Sequence, residues 1–297
     1  MKVLVSGSSG FLGKNLVFYL KQKGHEVISL VRTQNKGENT VYWNPEKGII
    51  GKLPPIDAAI HLSGENIGNE RWTKEKKKKI LDSRVLSTRL LAKTFSEMTT
   101  PPKMWLCASA CGFYGNQGDK KLTEESPKGK GFLSDVCQEW EKETQSVKAK
   151  GIRVASLRFG IILSPQGGVL EKMLIPFKLG LGGPIGNGKQ YVSWISLDDA
   201  VSAIHHCLIC EKIQGPVNLV APEPITNEGF SKLLGKILNR PTVFFIPNMA
   251  PRIMLGEMGE ELVLYSIRSM PAKLLETGYS FIHPDMETAL RYLLKNS

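Results

Sequence analysis

The chain is poor in cysteine and has no long apolar run. Its 297 residues include only five cysteines, and an odd, scattered set argues against a disulfide framework and for a reducing compartment. No stretch reaches the roughly 18 uninterrupted apolar residues that a membrane-spanning helix needs. The apolar run at residues 3–5 is too short for a signal peptide. We therefore expect a cytoplasmic protein with no membrane partner.

Acidic residues are outnumbered by basic ones. The chain has 39 lysines and arginines against 28 aspartates and glutamates, a formal net charge of +11, which favours anionic partners. Part of the excess lies in the run Lys74–Lys79, whose simplest interpretation is a solvated helix face. No basic and aromatic pattern of a nucleic-acid-binding module is present, so charge alone does not predict nucleic acid as a partner. A small-molecule substrate of anionic type is compatible with the same charge.

The first thirty residues alternate between strand and helix periodicity. Residues 2–6 are apolar and β-branched, which predicts a buried strand. Leu12, Leu16 and Leu20 recur at four-residue steps, which predicts an amphipathic helix, and residues 26–31 predict a second strand. The chain thus opens with a βαβ unit, which is the building block of parallel sheets.

The alternation continues through the first half of the chain. Apolar segments at 58–62, 104–110 and 152–159 predict buried strands, and the longer segments 72–98 and 131–150 predict helices. Strands separated by helices predict an α/β fold with a Rossmann-type doubly wound parallel sheet.

The pattern changes after residue 163, where glycine-rich loops and short helices begin. We predict a nucleotide-binding domain over 1–163, completed by parts of 191–220. A smaller, interleaved substrate lobe is predicted over 164–297, with a C-terminal module from about residue 249. The glycine-rich segment 180–190 is either a lid over a ligand or a plain connector.

A glycine-rich turn separates the first strand from the first helix. Gly7, Gly10 and Gly13 follow the spacing Gly-x2-Gly-x2-Gly. Glycines at such a place allow a tight turn and let backbone N–H groups approach a pyrophosphate, to which the helix N-terminus adds its partial positive charge. A structural turn without a ligand is the alternative. The predicted cofactor-binding residues of this turn are Gly7, Ser8, Ser9, Gly10, Phe11, Leu12 and Gly13.

The end of the second strand distinguishes between the two nicotinamide dinucleotides. An acidic residue there would bind the adenosine ribose hydroxyls of NAD, but this chain reads Leu30, Val31, Arg32 and Thr33. Arg32 could pair with a 2′-phosphate as a charge-assisted, often bidentate donor, and Lys36 could assist. The alternative is a solvated arginine. The residues therefore favour NADP(H) as the cofactor.

The glycine turn and three later segments resemble the extended short-chain dehydrogenase/reductase superfamily. His61–Gly64 is similar to its His-Leu-Ala-Ala turn, Ser109–Gly115 to its serine-rich segment ending in Tyr-Gly, and Trp194–Asp199 to its Phe-Ile-His-Val-Asp-Asp segment. This resemblance implies a Rossmann fold in which the cofactor is lined by Leu62, Ser63 and Gly64.

A closer resemblance covers essentially the whole chain. The segments that carry it are Leu62–Ile67, Arg71–Thr73, Ser83–Arg84, Leu157–Gly160, Pro176–Gly186 and Ala221–Pro224. They are similar to an atypical subgroup of the superfamily, the epimerase family proteins, which are NAD(P)-dependent epimerase/dehydratase-like and have a C-terminal module of their own. The resemblance implies an NADP(H) site, to which we also assign Arg84, Phe159 and Gly160. It does not imply a particular reaction.

The catalytic pattern of the superfamily is missing. The resemblance implies a serine that orients the substrate and a Tyr-x3-Lys pair in which the lysine lowers the pKa of the tyrosine. Alignment of the relevant helix places Leu133 at the tyrosine and Cys137 at the lysine. Alignment of the preceding strand places Ala110 at the serine, one residue from Ser109. The standard triad is therefore absent.

Other side chains are candidates for the proton chemistry. Tyr114 and Glu65 follow strands that end at the ligand-binding edge of such a sheet. We assign Tyr114 as an acid, Glu65 as a base and Ser109 as a third catalytic candidate. The alternatives are a packed tyrosine with its hydroxyl satisfied and a loop or capping carboxylate. Arg84 could hold an anionic substrate, pair with Glu65 or form a surface ion pair.

Two functions are compatible with these residues. The first is an NADP(H)-dependent oxidoreductase or epimerase with a nonstandard proton donor, and the second is a non-catalytic NADPH-binding sensor or scaffold. No metal site is predicted, because the cluster His205–Cys210 has no second group of ligands to complete a zinc site. A homodimer is expected by analogy, since related folds pair through helices such as those at 72–98 and 131–150.

Overall fold

The computed structural model describes residues 1–33 and 37–295, and it begins with the predicted βαβ unit. Strands β1 (Lys2–Ser6) and β2 (Glu26–Val31) pair in parallel, and helix α1 (Phe11–Gln22) connects them. Leu16 and Leu20 are fully buried. Their four-residue spacing therefore gives α1 an apolar face that packs against the sheet.

The other strands are short, and several contain only two or three residues. In chain order they are β3 (Thr40–Asn44), β4 (Ile49–Ile50), β5 (Ala58–His61), β6 (Met104–Ala110), β7 (Lys121–Leu122), β8 (Arg153–Phe159), β9 (Ile161–Leu163), β10 (Tyr191–Val192), β11 (Trp194–Ser196), β12 (Gly215–Leu219), β13 (Ile225–Thr226) and β14 (Arg268–Ser269).

The other helices differ widely in length. In chain order they are α2 (Lys74–Glu97), α3 (Phe132–Lys142), α4 (Gly168–Lys178), α5 (Leu197–Ile209), α6 (Asn227–Leu238), α7 (Met249–Leu255), α8 (Glu257–Gly259), α9 (Ala272–Glu276) and α10 (Met286–Lys295). Within residues 1–33 and 37–295, none of the helices is both long and apolar enough to cross a membrane.

Eight strands of the described residues form one sheet, in the order β12–β8–β6–β5–β1–β2–β3–β4. From β1 the chain moves outward to β2 and β3, and it then returns to the other side of β1 to add β5, β6 and β8. The pairs β1–β2, β1–β5 and β5–β6 are parallel. The predicted Rossmann-type α/β fold is confirmed, and its topological switch point lies between β1 and β5.

The chain divides into two compact units. The first comprises Met1–Ser109, Val136–Leu157 and Val201–Val217, and the second comprises Ala110–Asp135, Arg158–Ala200 and Asn218–Ser297. The central strands supply the core of the first unit, where Val3 and Leu106 are fully buried. The core of the second unit includes Trp194, Phe230 and Leu290. The domain boundary predicted at residue 163 stays a prediction.

Two helices differ from the sequence-based predictions. The helix expected over 131–150 ends at Lys142 and is followed by a separate 3-10 segment, Gln145–Lys150. Helix α4 contains Pro176 and lies in a region for which the sequence analysis predicts no individual helix. It forms because Leu170, Leu174 and Phe177 recur at helical spacing and are all buried.

Candidate functional site

The glycine turn follows β1 at the switch point. Gly7 has a φ of +72°, a conformation that favours glycine, and a Cβ on it would lie 2.9 Å from the carbonyl carbon of Leu62. A Cβ on Gly13 would lie 2.0 Å from the Gly7 oxygen. These two glycines are therefore required, because the turn packs on the segment after β5 and α1 packs on the turn.

The N-terminus of α1 is open to a ligand. Gly10 is the N-cap residue, supplies no side chain to cap the helix, and is followed by a first turn without acidic residues. Ser9 and Gly10 are exposed, and Ser8, Phe11 and Leu12 are half-buried. The unsatisfied N–H groups of a helix start, together with its dipole, readily bind phosphate. The arrangement fits the pyrophosphate of a dinucleotide.

Arg32 lies directly after β2 and is exposed. The residues before it are Leu30 and Val31, so this strand end presents a guanidinium where NAD-binding sheets present a carboxylate. Lys36, which the sequence suggested as an assistant to Arg32, lies outside the described residues. The role of Arg32 toward a 2′-phosphate stays a prediction.

His61 ends β5 and is fully buried in a hydrogen-bond network. Its Nδ1 lies 2.5 Å from Ser6 Oγ, and its Nε2 lies 3.0 Å from Ser87 Oγ. Because Ser87 Oγ donates to the carbonyl oxygen of Ser83 (2.6 Å), it accepts from Nε2–H, and Ser6 Oγ then donates to Nδ1. Burial, assisted by the positive charge of Arg84, lowers the pKa of His61 to about 3. His61 is thus a neutral link between the ends of β1 and β5.

Arg84, on α2, lies over the segment that follows β5. A Cβ on Gly64 would lie 3.1 Å from Arg84 Cζ, and Arg84 Nη1 donates to the carbonyl oxygen of Ile80 (3.0 Å). Arg84 Cζ lies 5.1 Å from the centroid of the Trp140 ring, a cation–π contact. Helix α2 therefore places a guanidinium directly beside Leu62–Gly64, the segment predicted to line the cofactor.

Glu65 follows the same segment and is held by a buried lysine. Lys76 Nζ lies 2.6 Å from Glu65 Oε1 and 2.7 Å from Glu70 Oε1, and the Lys76 side chain is only 5% exposed. The Glu65 side chain is 40% exposed, and its N–H donates to Ser83 Oγ (2.9 Å). The interpretation of Lys74–Lys79 as a solvated face is therefore wrong for Lys76, because two carboxylates bind its ammonium group.

Ser109 is buried at the end of β6, and its hydroxyl donates to Glu141 Oε1 on α3 (2.7 Å). The sequence analysis did not identify Glu141 as a site residue. Glu141 lies four residues after Cys137, so both side chains are on one face of α3. This spacing is the sequence signal that could have identified Glu141 as a site residue. The catalytic role assigned to Ser109 stays a prediction.

Tyr114 is the catalytic candidate that the geometry disfavours. It is fully buried, and its hydroxyl donates to Asn218 Oδ1 (2.7 Å) and accepts from Arg158 Nη1 (3.0 Å). Burial raises the pKa of Tyr114 above its ordinary value, and Arg158 offsets part of that rise. Because even an unperturbed phenol rarely ionises near neutral pH, the packed alternative describes Tyr114 better.

Leu133 and Cys137, which the sequence analysis aligns with the tyrosine and lysine of the superfamily, are both buried. The absence of the standard triad stays a prediction. The start of α3 is capped from the C-terminal region. Glu261 accepts the N–H groups of Phe132 (2.6 Å) and Leu133 (2.9 Å) on its two carboxylate oxygens. No local pattern predicts this contact, because Glu261 and Leu133 are 128 residues apart.

Phe159 and Gly160 are half-buried at the end of β8. The N–H of Gly160 donates to the carbonyl oxygen of Leu219 (3.1 Å), and a Cβ on Gly160 would lie 2.7 Å from the carbonyl oxygen of Ser193. Packing within the second unit therefore accounts for the glycine. The cofactor-binding role assigned to both residues stays a prediction.

The cluster His205–Cys210 lies on and directly after α5. His205 Nε2 is 3.0 Å from His25 Nε2, and Cys207 is fully buried. The part of the chain that the structure describes contains no group of three or more histidine, cysteine, aspartate and glutamate side chains able to hold a metal ion. None of the five cysteines, all of which lie within the described residues, forms a disulfide.

Comparison with protein families identifies two regions of the chain. The NAD dependent epimerase/dehydratase family matches residues 3–218, and a domain of unknown function, DUF1731, matches residues 246–293. An epimerase family protein of Mycobacterium leprae is 38% identical over 292 residues, which cover 98% of this chain and 94% of the relative.

Two solved structures are similar over the whole chain. The crystal structure of human epimerase family protein SDR39U1 (isoform 2) with NADPH matches with a TM-score of 0.92 at 33% identity and covers 100% of both chains. A nucleoside-diphosphate sugar epimerase from Corynebacterium glutamicum matches with a TM-score of 0.80 at 34% identity, over 100% of this chain and 59% of that one. The resemblance to the epimerase family proteins is confirmed. The chain belongs to the NAD dependent epimerase/dehydratase family.

Proposed function

We propose that this chain binds NADP(H) at the switch point of its sheet. The observation that carries the proposal is the open N-terminus of α1, which Gly7 and Gly13 allow to pack beside the end of β5. The similar human protein, which covers the whole chain, is crystallised with NADPH. Backbone N–H groups at residues 11–13 would hold the pyrophosphate, and Arg32 would bind the 2′-phosphate that NAD lacks.

Family membership supports an oxidoreductase or an epimerase. Bound NADP(H) would supply or accept a hydride. The protein's own part is to bind the dinucleotide, orient a substrate and move a proton. Two polar side-chain pairs of the first unit are candidates for this role: Ser109 with Glu141 near the end of β6, and Glu65 with Lys76 after β5. Glu65 is the preferred proton-transfer group, because its carboxylate is accessible whereas Ser109 is buried.

Replacing Arg32 by alanine tests the cofactor assignment. We expect NADPH to bind the wild type at least about ten times more tightly than NADH, because a hydrogen bond to a charged group contributes roughly 1.5–3 kcal/mol. Arg32→Ala should weaken NADPH and leave NADH unchanged in fluorescence titrations. Arg89→Ala is the control, since Arg89 forms an exposed ion pair with Glu143 (2.6 Å). Failure of the wild type to bind either nucleotide would contradict the proposal.

A non-catalytic NADPH-binding sensor or scaffold is the second candidate. The burial of Tyr114, Leu133 and Cys137 favours it, because none of these side chains can act as the superfamily's proton relay in this state. A screen of carbonyl compounds and nucleoside-diphosphate sugars with NADPH, following both cofactor oxidation and product formation, separates the two functions. Turnover that Glu65→Gln abolishes supports the enzyme, and tight NADPH binding without any turnover supports the sensor.

The variant Tyr114→Phe distinguishes a structural role of the Tyr114 hydroxyl from a catalytic one. We expect NADPH binding and turnover to stay at the wild-type level. The free energy of unfolding should fall by about 1–2 kcal/mol, because Asn218 and Arg158 each lose a buried hydrogen-bond partner. Urea denaturation at fixed pH measures this change. A variant with full stability and no turnover would restore Tyr114 as a catalytic residue.

A further inference from the structure

Two segments of the second unit expose a concentration of large apolar side chains. Residues 172–190 contain the second half of α4 and the glycine-rich segment, and residues 240–256 contain α7. Nine of their large apolar side chains are 49–80% exposed. We call these nine the apolar surface, and they are Ile175, Leu179, Leu181, Val243, Phe244, Phe245, Met249, Ile253 and Met254.

The two segments lie side by side. The N–H of Ile246 donates to the carbonyl oxygen of Pro184 (3.0 Å), and the N–H of Gly186 donates to the carbonyl oxygen of Ile246 (2.8 Å). A Cβ on Gly183 would lie 1.6 Å from the carbonyl oxygen of Phe244, so the two backbones are in direct contact. The exposed side chains that flank these contacts are therefore neighbours. Contiguous apolar patches on a protein surface mark places where another molecule binds.

The outer face of α4 is apolar without any need from the core. The inner face of this helix already fills the core of the second unit, whereas Ile175 is 67% exposed. Leu179 follows Ile175 by four residues, and Lys172 and Lys178 lie three residues to either side of it. Residues at these steps share one helix face. The outer face of α4 thus combines apolar and basic side chains, and packing within the fold does not account for it.

The charged residues of the two segments are all basic. They are Lys172, Lys178, Lys189, Arg240 and Arg252, and neither 172–190 nor 240–256 contains an aspartate or a glutamate. Arg240 Nε donates to the carbonyl oxygen of Lys178 (2.7 Å), so two of these residues lie where the segments meet. Arg252 forms an ion pair with Glu260, which lies beyond the second segment. The apolar surface is therefore accompanied by positive charge.

This combination fits the surface of an anionic bilayer. Exposed apolar side chains can enter the boundary between headgroups and acyl chains, and basic side chains beside them attract anionic lipids. The long stems of lysine and arginine can lie along apolar surface while their charges stay at the headgroups. A second copy of the chain fits less well, because a two-fold contact brings the same surface of both copies together and would oppose basic side chains.

We propose that the apolar surface docks this protein on the surface of a bilayer that contains anionic phospholipids. The expectation of no membrane partner follows from the lack of a spanning segment, which a protein lying on a bilayer does not need. The proposal goes beyond the proposed function and does not depend on it. None of the residues assigned to the cofactor belongs to 172–190 or 240–256.

Cosedimentation of the whole chain with vesicles tests the proposal. One kind of vesicle contains phosphatidylcholine alone, and the other contains equal amounts of phosphatidylcholine and phosphatidylglycerol. We expect the wild type to bind the anionic vesicles about tenfold or more tightly than the neutral ones. The double variant Leu179→Gln/Phe245→Gln should weaken binding to the anionic vesicles about tenfold or more, because two exposed apolar side chains no longer enter the bilayer.

Two further variants separate this surface from general stickiness and from net charge. Phe18→Gln/Ile49→Gln is the matched control, because Phe18 (65%) and Ile49 (45%) are an exposed aromatic and an exposed aliphatic residue of the first unit. It should bind like the wild type. Lys178→Gln/Lys189→Gln should weaken binding to the anionic vesicles and reduce its dependence on salt.

The lysine variant has its own control, and the remaining outcomes contradict the proposal. Lys47→Gln/Lys52→Gln removes two exposed lysines of the first unit and should change binding far less. The proposal is overturned if the wild type does not bind anionic vesicles, or if Leu179→Gln/Phe245→Gln binds them like the wild type. It is also overturned, in favour of an interface between copies, if light scattering shows a dimer that this variant dissociates and no vesicle binding occurs. An acidic protein that binds the surface of a chain unable to bind vesicles overturns it equally.

Thermal unfolding establishes that each variant is folded. Substitutions of exposed side chains should leave the unfolding temperature near that of the wild type. If Leu179→Gln/Phe245→Gln does not fold, Val243→Gln decides, because Val243 is 80% exposed. Val243→Gln should then weaken binding to the anionic vesicles, and unchanged binding overturns the proposal.

Discussion

The free energy of unfolding is expected to fall by about 3 kcal/mol between pH 7 and pH 4 through His61 alone. The pKa of His61 is about 3 in the folded protein, against an ordinary value of 6.5. In the unfolded chain, His61 therefore takes up a proton as the pH falls through 6.5. In the folded protein, the His61 side chain stays neutral until about pH 3. Stability is thus lost toward acid, at up to about 1.4 kcal/mol for each pH unit below 6.5.

The hydrogen-bond network around His61 explains this resistance to protonation. Nδ1 accepts from Ser6 Oγ, and that oxygen already accepts the N–H of Leu62 (3.2 Å). A proton on Nδ1 would force the Ser6 hydroxyl to find another acceptor inside the core.

Urea denaturation of the wild type and of His61→Gln between pH 7.5 and pH 4 measures this contribution. The variant should be less stable at pH 7.5, and its stability should decline less toward acid. His206→Gln is the control, and it should change the slope far less because its side chain is only half-buried. If the free energy of unfolding fell with pH equally in the wild type and in His61→Gln, groups other than His61 would be the cause of the acid sensitivity.

Gly13→Ala is expected to weaken NADPH binding by about two orders of magnitude and to lower the free energy of unfolding by about 3 kcal/mol. The new Cβ would lie 2.0 Å from the Gly7 oxygen and 2.9 Å from Ser8 Cα. Both contacts are backbone, so the start of α1 must move away from the turn. Two N–H bonds to a phosphate, each contributing roughly 1.5 kcal/mol or more, would then be lost.

Substitutions at two other glycines distinguish an effect on NADPH binding from an effect on the free energy of unfolding. A Cβ on Gly10 would contact only the Gly7 oxygen, at 3.3 Å, so Gly10→Ala should remain folded while its methyl group hinders the approach of the pyrophosphate. A Cβ on Gly68 would lie 3.9 Å from Asn66 Oδ1, an ordinary contact, so Gly68→Ala should change neither property. Calorimetry with NADPH and thermal unfolding of the three variants test this order. Wild-type affinity in Gly13→Ala would exclude the turn as the pyrophosphate site.

The features that could be predicted from the sequence are those whose signals are local. The spacing of Leu16 and Leu20 is sufficient to predict α1, because the apolar face of a helix is defined within a few residues. The glycine turn is equally local, since the close approach of Gly13 to Gly7 spans six positions. The alternation of strands and helices then predicts the sheet, because parallel strands require crossover connections.

The side-chain partners could not be predicted, because they are distant in sequence. The place of Tyr114 after β6 predicts an acid, but the partner of its hydroxyl group, Asn218, lies 104 residues further along the chain. Lys76 was part of a uniform lysine run, and nothing local distinguishes the one member that two carboxylates hold. The contacts of Arg84 likewise depend on Gly64 and Trp140, which come from separate elements.

During synthesis, the start of α3 cannot be completed until the final segment of the chain has left the ribosome. The carboxylate of Glu261 caps that helix from 129 residues beyond Phe132, and β14 pairs with β7 only after residue 269 has been made. Until then the nascent chain exposes unsatisfied N–H groups at α3 and an unpaired strand edge at β7. Such edges promote aggregation. The second unit can therefore complete these two contacts only late in synthesis, after its C-terminal segment has been made.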